Sequence, residues 1–195
     1  MQTFSKIILL LFTILFFSYN SFSESKDPVR GKNGMVVSAS ELASQVGIEI
    51  LKKGGNAVDA AVAVGFALAV TYPAAGNIGG GGFMVIHLKD GTNTTIDYRE
   101  KAPISATEFL YQDSLGNFLP EKSQEGVTSS GVPGSVAGLI YALEKYGTLS
   151  LSEVIQPAID LARNGFILEH RLARSFEYEI ESFNKYEKKK KIFTK

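Results

Sequence analysis

A layered α/β fold, with apolar helices packed on a sheet, is what the pattern of this chain predicts. Three observations carry that expectation. From Asn56 to about Val70 nearly every position is Ala, Val, Phe or Leu, and a helix that is apolar all round must lie inside a protein. Two β-rich runs, Phe83 to Leu88 and Thr94 to Arg99, are separated by Lys89-Asp90-Gly91 and read as a hairpin. Amphipathic helices on either side supply the layers that would cover such a sheet.

Taken in order, the chain opens with Lys6 and an unbroken apolar run from Ile7 to Phe17, followed by small residues at Ser21 and Ser23. That run is about half of the roughly twenty residues a membrane span needs, and its flanks suit signal-peptidase cleavage before Glu24. Residues 1–23 are therefore read as a signal peptide, which makes the protein exported, to the periplasm or beyond, and free of the membrane after cleavage. Residues 24–33 are polar, contain Pro28 and Gly31, and read as an exposed leader. The domain begins at Gly34 and runs to residue 195.

Ser38 and Glu41 have capping-box spacing, and Ala43, Val46, Gly47, Ile50 and Leu51 follow at helical intervals until Gly54-Gly55. Asn56 then caps the apolar helix, with Asp59 in its first turn, where a negative charge suits the helix dipole. Gly65 and the many alanines let neighbours approach its axis. After the hairpin the chain is turn-rich from Pro103 to Ser130. Gly131-Val132-Pro133-Gly134-Ser135-Val136-Ala137-Gly138 leads into a helix that ends near Tyr146-Gly147. A second capping box, Ser150 and Glu153, opens a helix ending at Asn164-Gly165, with Pro157 expected to bend it or break its register. A charged helix begins near Leu168. Lys188 to Lys191 read as a solvated run, after which no closing element follows.

Composition excludes several functions. With 20 basic and 20 acidic residues, the net charge is zero, and no global field draws the chain to nucleic acid. The absence of cysteine removes disulfides, thiolate catalysis and cysteine-bound zinc. His87 and His170 are the only imidazoles, and they do not form a metal-binding pair, so neither a metal site nor a cofactor is expected.

The cluster Gly76 to Gly82 lacks a following Gly-Lys-Ser/Thr and leads from helix into strand, the reverse of a phosphate loop. It reads instead as tight backbone packing that needs the φ freedom of glycine. Ser135 sits one place too early for a nucleophile elbow and belongs to the first turn of a helix. His87, within an apolar strand, reads as a hydrogen-bonded core histidine. Thr94-Thr95 lies inside a strand. Arg99, bare, reads as a local ion pair with Glu100, although its planar guanidinium is suited to a carboxylate in a way lysine is not.

Gly54-Gly55-Asn56-Ala57-Val58-Asp59-Ala60-Ala61, Gly76-Asn77-Ile78-Gly79-Gly80-Gly81-Gly82-Phe83-Met84 and Asp97-Tyr98-Arg99-Glu100, in that order, resemble the start of the large subunit of γ-glutamyltransferases (glutathione hydrolases). Tyr72-Pro73, Gly131 to Gly134 and Leu161-Ala162-Arg163-Asn164-Gly165-Phe166 extend the resemblance over most of the chain. It implies an N-terminal-nucleophile hydrolase with a four-layer αββα sandwich, only part of which these residues supply. It also implies a precursor that cuts itself into large and small subunits, and cleavage of γ-glutamyl amides such as glutathione, with transfer to water or an amine. By resemblance the nucleophilic threonine lies in the small subunit, so no catalytic residue is expected in this chain. Arg99 is the substrate-binding residue that carries over, on the γ-glutamyl α-carboxylate. A β-lactam acylase and a catalytically inactive, small-molecule-binding remnant are the alternatives.

Overall fold

The computed structural model describes residues 27–193, so the expected signal peptide and the first leader residues lie outside the described residues. The chain divides into Met1–Asn33 and Gly34–Lys195. In the first unit, residues 27–33 are exposed and form neither helix nor strand.

In the second unit, α1 spans Glu41–Lys52 and buries Ala43, Gly47 and Ile50. Its cap is Ser40, whose Oγ accepts from the Ala43 amide at 3.5 Å. The expected Ser38–Glu41 box does not form. Ser40 directly precedes the first helical residue, so its hydroxyl is the one in reach of the third amide, while Ser38 Oγ donates to the Ser40 carbonyl at 2.7 Å. The helix ends in paired bonds, Gly54 N to Leu51 O and Gly55 N to Ile50 O, both 3.1 Å. Gly54 has φ +95°, the left-handed turn that this ending requires.

The second helix, α2 (Ala57–Thr71), carries the complete Asn56–Asp59 capping box. It packs on α1, on α4 (Ser135–Tyr146) and on α5 (Leu151–Asn164). A Cβ on Gly65 would lie 3.1 Å from the Leu139 methyls of α4, so small residues do admit close neighbours here, but those neighbours are chiefly helices. The hairpin contributes one face to the same core: Ile86 and Ile96 join Ile50, Val62, Phe66, Leu139, Leu143 and Val154.

Strands β1 (Phe83–His87) and β2 (Asn93–Asp97) pair antiparallel, Phe83 opposite Asp97 and His87 opposite Asn93. Both are shorter than expected, so Leu88, Tyr98 and Arg99 fall outside the assigned strands. Alternation buries Ile86 and Ile96 and leaves Phe83, Val85, His87, Asn93, Thr95 and Asp97 exposed. His87 is thus not a core histidine. Its Nδ1 shares a 2.8 Å hydrogen bond with Asn93 Oδ1 beside the turn of the hairpin.

The long connection after the hairpin holds α3 (Pro120–Gln124) and a 3-10 turn, Val127–Ser129. The helix α5 keeps its Ser150–Glu153 box and runs through Pro157 without interruption, so the expected register break is absent. The charged C-terminal part is three short helices, α6 (His170–Tyr178), α7 (Ile180–Asn184) and α8 (Glu187–Phe193), not one. Helices on one side of a small sheet make this a partial layered α/β fold.

Candidate functional site

The segment following β2 is held from two sides. Tyr98 continues the ladder beyond the assigned strand, its amide donating to the Gly82 carbonyl at 3.0 Å. Lys101 and Val132 exchange backbone bonds of 3.2 and 2.8 Å, and the Gly134 and Ser135 amides both donate to the Gly80 carbonyl at 2.9 Å. Residues 80–82, 98–101 and 131–135 therefore form one knot of main chain, and the start of α4 is part of it.

Glycine makes the knot possible because nothing larger fits. A Cβ on Gly81 would lie 2.6 Å from the Tyr98 carbonyl oxygen and 2.7 Å from the Glu100 nitrogen. One on Gly134 would overlap the Tyr98 carbonyl, and one on Gly138 would overlap the Tyr98 ring. The φ freedom expected of the Gly76–Gly82 cluster is not what is used, since the positive-φ glycines are Gly54, Gly91, Gly116, Gly126 and Gly165. What matters in the cluster is close approach. Tyr98 lies half-buried on the groove that Gly134 and Gly138 open on one face of α4, and burial pushes its phenol pKa up.

With its main chain fixed in this way, Arg99 is exposed. Its amide donates to Asp97 Oδ1 at 3.0 Å, and its guanidinium carbon lies 5.7 Å from the centre of the Phe83 ring. Among the described residues the ion pairs are Lys52–Glu49 and Lys185–Glu125, so the local pair with Glu100 does not form. Arg99 borders a cleft of about 400 Å³, with Asp97, Tyr98, Lys101, Pro133 and Tyr141 among its other walls. Two cations and a carboxylate around a space of amino-acid size suit a small zwitterionic ligand.

The remaining candidates do not line this cleft. Ser135 is buried in the first turn of α4, where its hydroxyl has no open approach. Thr94 and Thr95 lie within β2, and His87 is at the far end of the hairpin. Among the described residues no group of His, Asp and Glu is arranged to hold a metal ion. Sequence reasoning missed Lys101 and Phe83 as neighbours of Arg99. The four-residue spacing of Gly134 and Gly138, which puts both on one helix face, was the available sign of the groove.

Comparison with known proteins agrees with the fold. Residues 43–195 match the profile of the family described as gamma-glutamyltranspeptidase. The chain is 57% identical over 169 residues to a glutathione hydrolase proenzyme of Pseudomonas sp. (strain A14), covering 86% of this chain and 29% of that protein. It is 52% identical over 179 residues to the glutathione hydrolase proenzyme of Escherichia coli (strain K12), covering 91% and 31%. The chain thus spans about 30% of the length of these curated relatives. Among solved structures, Helicobacter pylori gamma-glutamyltranspeptidase superposes with a TM-score of 0.82 at 51% identity, covering 87% of this chain and 48% of that one. Family profile, relatives and fold coincide over the residues that carry the glycine knot and Arg99, and the chain belongs to the gamma-glutamyltranspeptidase family.

Proposed function

We propose that this chain forms the N-terminal part of the large subunit of an exported γ-glutamyltransferase, or glutathione hydrolase, and that Arg99 binds the α-carboxylate of the γ-glutamyl group. The supporting observation is a guanidinium with no carboxylate within 4.0 Å among the described residues, carried at the rim of a small cleft on immobilised main chain. A bidentate arginine–carboxylate pair supplies both energy and orientation, and the knot of residues 80–82, 98–101 and 131–135 limits how far that orientation can drift.

Residues 1–23 act as the signal peptide, 24–33 as the leader and 34–195 as the large-subunit portion. The partner is the small subunit of the same precursor, which brings the threonine. Its hydroxyl attacks the γ-carbonyl, its own α-amine takes the proton, and the amine of the donor leaves protonated. Water or an acceptor amine then cleaves the γ-glutamyl ester and restores the hydroxyl. Arg99 takes no part in these proton transfers. It holds the glutamyl group so that the carbonyl meets the nucleophile.

Replacing Arg99 by Gln in the processed full-length protein tests the assignment. The expected result is a rise in KM for a γ-glutamyl donor of roughly 100-fold, as lost charge-assisted bidentate bonds imply. A donor lacking the α-carboxylate should be handled equally by native and variant proteins. An unchanged KM for the carboxylate-bearing donor would remove Arg99 from the site.

A further inference from the structure

We propose that Phe83 is a positioning residue for Arg99, its ring face serving as the platform on which the guanidinium rests while it meets a substrate carboxylate. The inference depends on the assignment of Arg99 to that carboxylate and adds the group that aims it. Phe83 is opposite Asp97 in the hairpin. Arg99 is two residues beyond Asp97, and the intervening Tyr98 is still paired with Gly82, so Arg99 leaves the ladder on the same face as Phe83. Diagonal neighbours of this kind are within reach of aromatic and long side chains.

The observed separation, 5.7 Å from guanidinium carbon to ring centre, lies within cation–π range. The ring lies on the outer face of the hairpin, 64% exposed, whereas the neighbouring Met84 and Ile86 of the same strand face inward. No carboxylate among the described residues competes for the guanidinium. A ring also suits the task better than an acidic partner would. It restrains the planar cation through its face and leaves the N–H edge free to fork onto a carboxylate, while a side-chain carboxylate would occupy that edge and screen the charge. Gly82 contributes on the opposite side, where a Cβ would lie 3.0 Å from the Tyr98 ring.

The test uses the processed full-length protein and a γ-glutamyl donor, with kcat/KM and KM measured for Phe83→Leu, Phe83→Tyr, Arg99→Gln and the Phe83→Leu/Arg99→Gln double variant. Phe83→Leu is expected to raise KM roughly 3- to 10-fold, the range a partly exposed cation–π contact supplies, with kcat nearly unchanged. Phe83→Tyr, which keeps the ring face, should restore the native value. In the Arg99→Gln background Phe83→Leu should have no further effect on kcat/KM, because the interaction is already gone. Incorporating 4-cyanophenylalanine at position 83 keeps the shape while withdrawing electron density from the ring face, and it should raise KM in the same direction even if Phe83→Leu folds poorly. An unaltered KM in the cyano variant, or an equal loss from Phe83→Leu with and without Arg99, would overturn the proposal. If Arg99→Gln itself leaves KM unchanged, the carboxylate assignment fails first, and the platform falls with it.

Discussion

Asp59 is tied to two segments of the described fold by four hydrogen bonds. Its carboxylate is fully buried and accepts from the Asn56 amide at 2.7 Å, the Thr148 amide at 2.9 Å, the Thr148 hydroxyl at 2.7 Å and the Leu149 amide at 3.1 Å. Burial opposes its charge, but these bonds outweigh it and hold the pKa below the usual aspartate value. An unfolded aspartate takes up its proton near pH 4, and the folded one at lower pH. Between the two values the unfolded chain binds more protons, so stability from Asp59 is complete above the unfolded pKa and disappears as pH falls through the folded one. Asp59→Asn should cost about 3 kcal/mol at neutral pH, since a charged acceptor of several buried donors is lost, and that difference should shrink on acidification. Denaturant titrations of both proteins between neutral and acid pH measure it. Glu153, whose pKa is lowered chiefly by its bond to Ser150, also feels the charge of Asp59, which raises it, so both titrations are made in a Glu153→Gln background. Part of the local half was legible, Asn56 as the cap and Asp59 as a first-turn charge, while the return bond from the Asn56 amide to Asp59 is a finding of the structure. The other half was not, since Thr148 and Leu149 are remote in sequence and no short-range spacing points to them.

At the scale of elements, α4 is positioned by contact with the segment that carries Arg99. Gly138 stands where a methyl group would enter the Tyr98 ring, so Gly138→Ala should lose about 2 kcal/mol by overpacking. It should also displace residues 98–99, weakening γ-glutamyl donor binding without altering the Arg99 side chain. Thermal unfolding together with KM separates this from simple helix propensity, for which alanine in a helix interior would stabilise. A higher melting temperature with native KM would show that the groove is not used. Helix existence was readable from caps and apolar spacing, and α2, α4 and α5 lie close to where those signals put them. What failed at this scale were choices among neighbouring polar residues. Ser38 and Ser40 both suit a cap, and only the position of the first turn selects Ser40. Pro157 is compatible with an unbroken α5, although the loss of one amide donor suggested a break. The end of the assigned strand at Asp97 was blurred because Tyr98 still pairs with Gly82 and Arg99 continues a strand-like sequence, and the glycine knot was invisible because it joins three distant segments.

For the molecule as a whole, the hairpin is the exposed point. Each of its two strands has one hydrogen-bonded neighbour among the described residues, and its outer face presents Phe83 and Val85, the latter 79% exposed. Free strand edges beside apolar side chains are templates for association. In γ-glutamyltransferases, by the resemblance that identified the layered sandwich, further layers cover such a sheet, and this chain spans about 30% of the length of its curated relatives. The 195-residue chain expressed alone should therefore self-associate, and Val85→Lys should reduce that association, because a charge on the outer face disfavours stacking while the inner core, with Ile86 and Ile96, is untouched. Sedimentation velocity across a concentration series reads both effects. A monomer at every concentration, unfolding in one cooperative transition, would mean that helices α1, α2, α4 and α5 and the hairpin make a sufficient core without further layers. Association that Val85→Lys leaves unchanged would move the sticky surface away from the hairpin, to the apolar residues of the C-terminal helices, where Tyr178 and Ile192 are each 74% exposed.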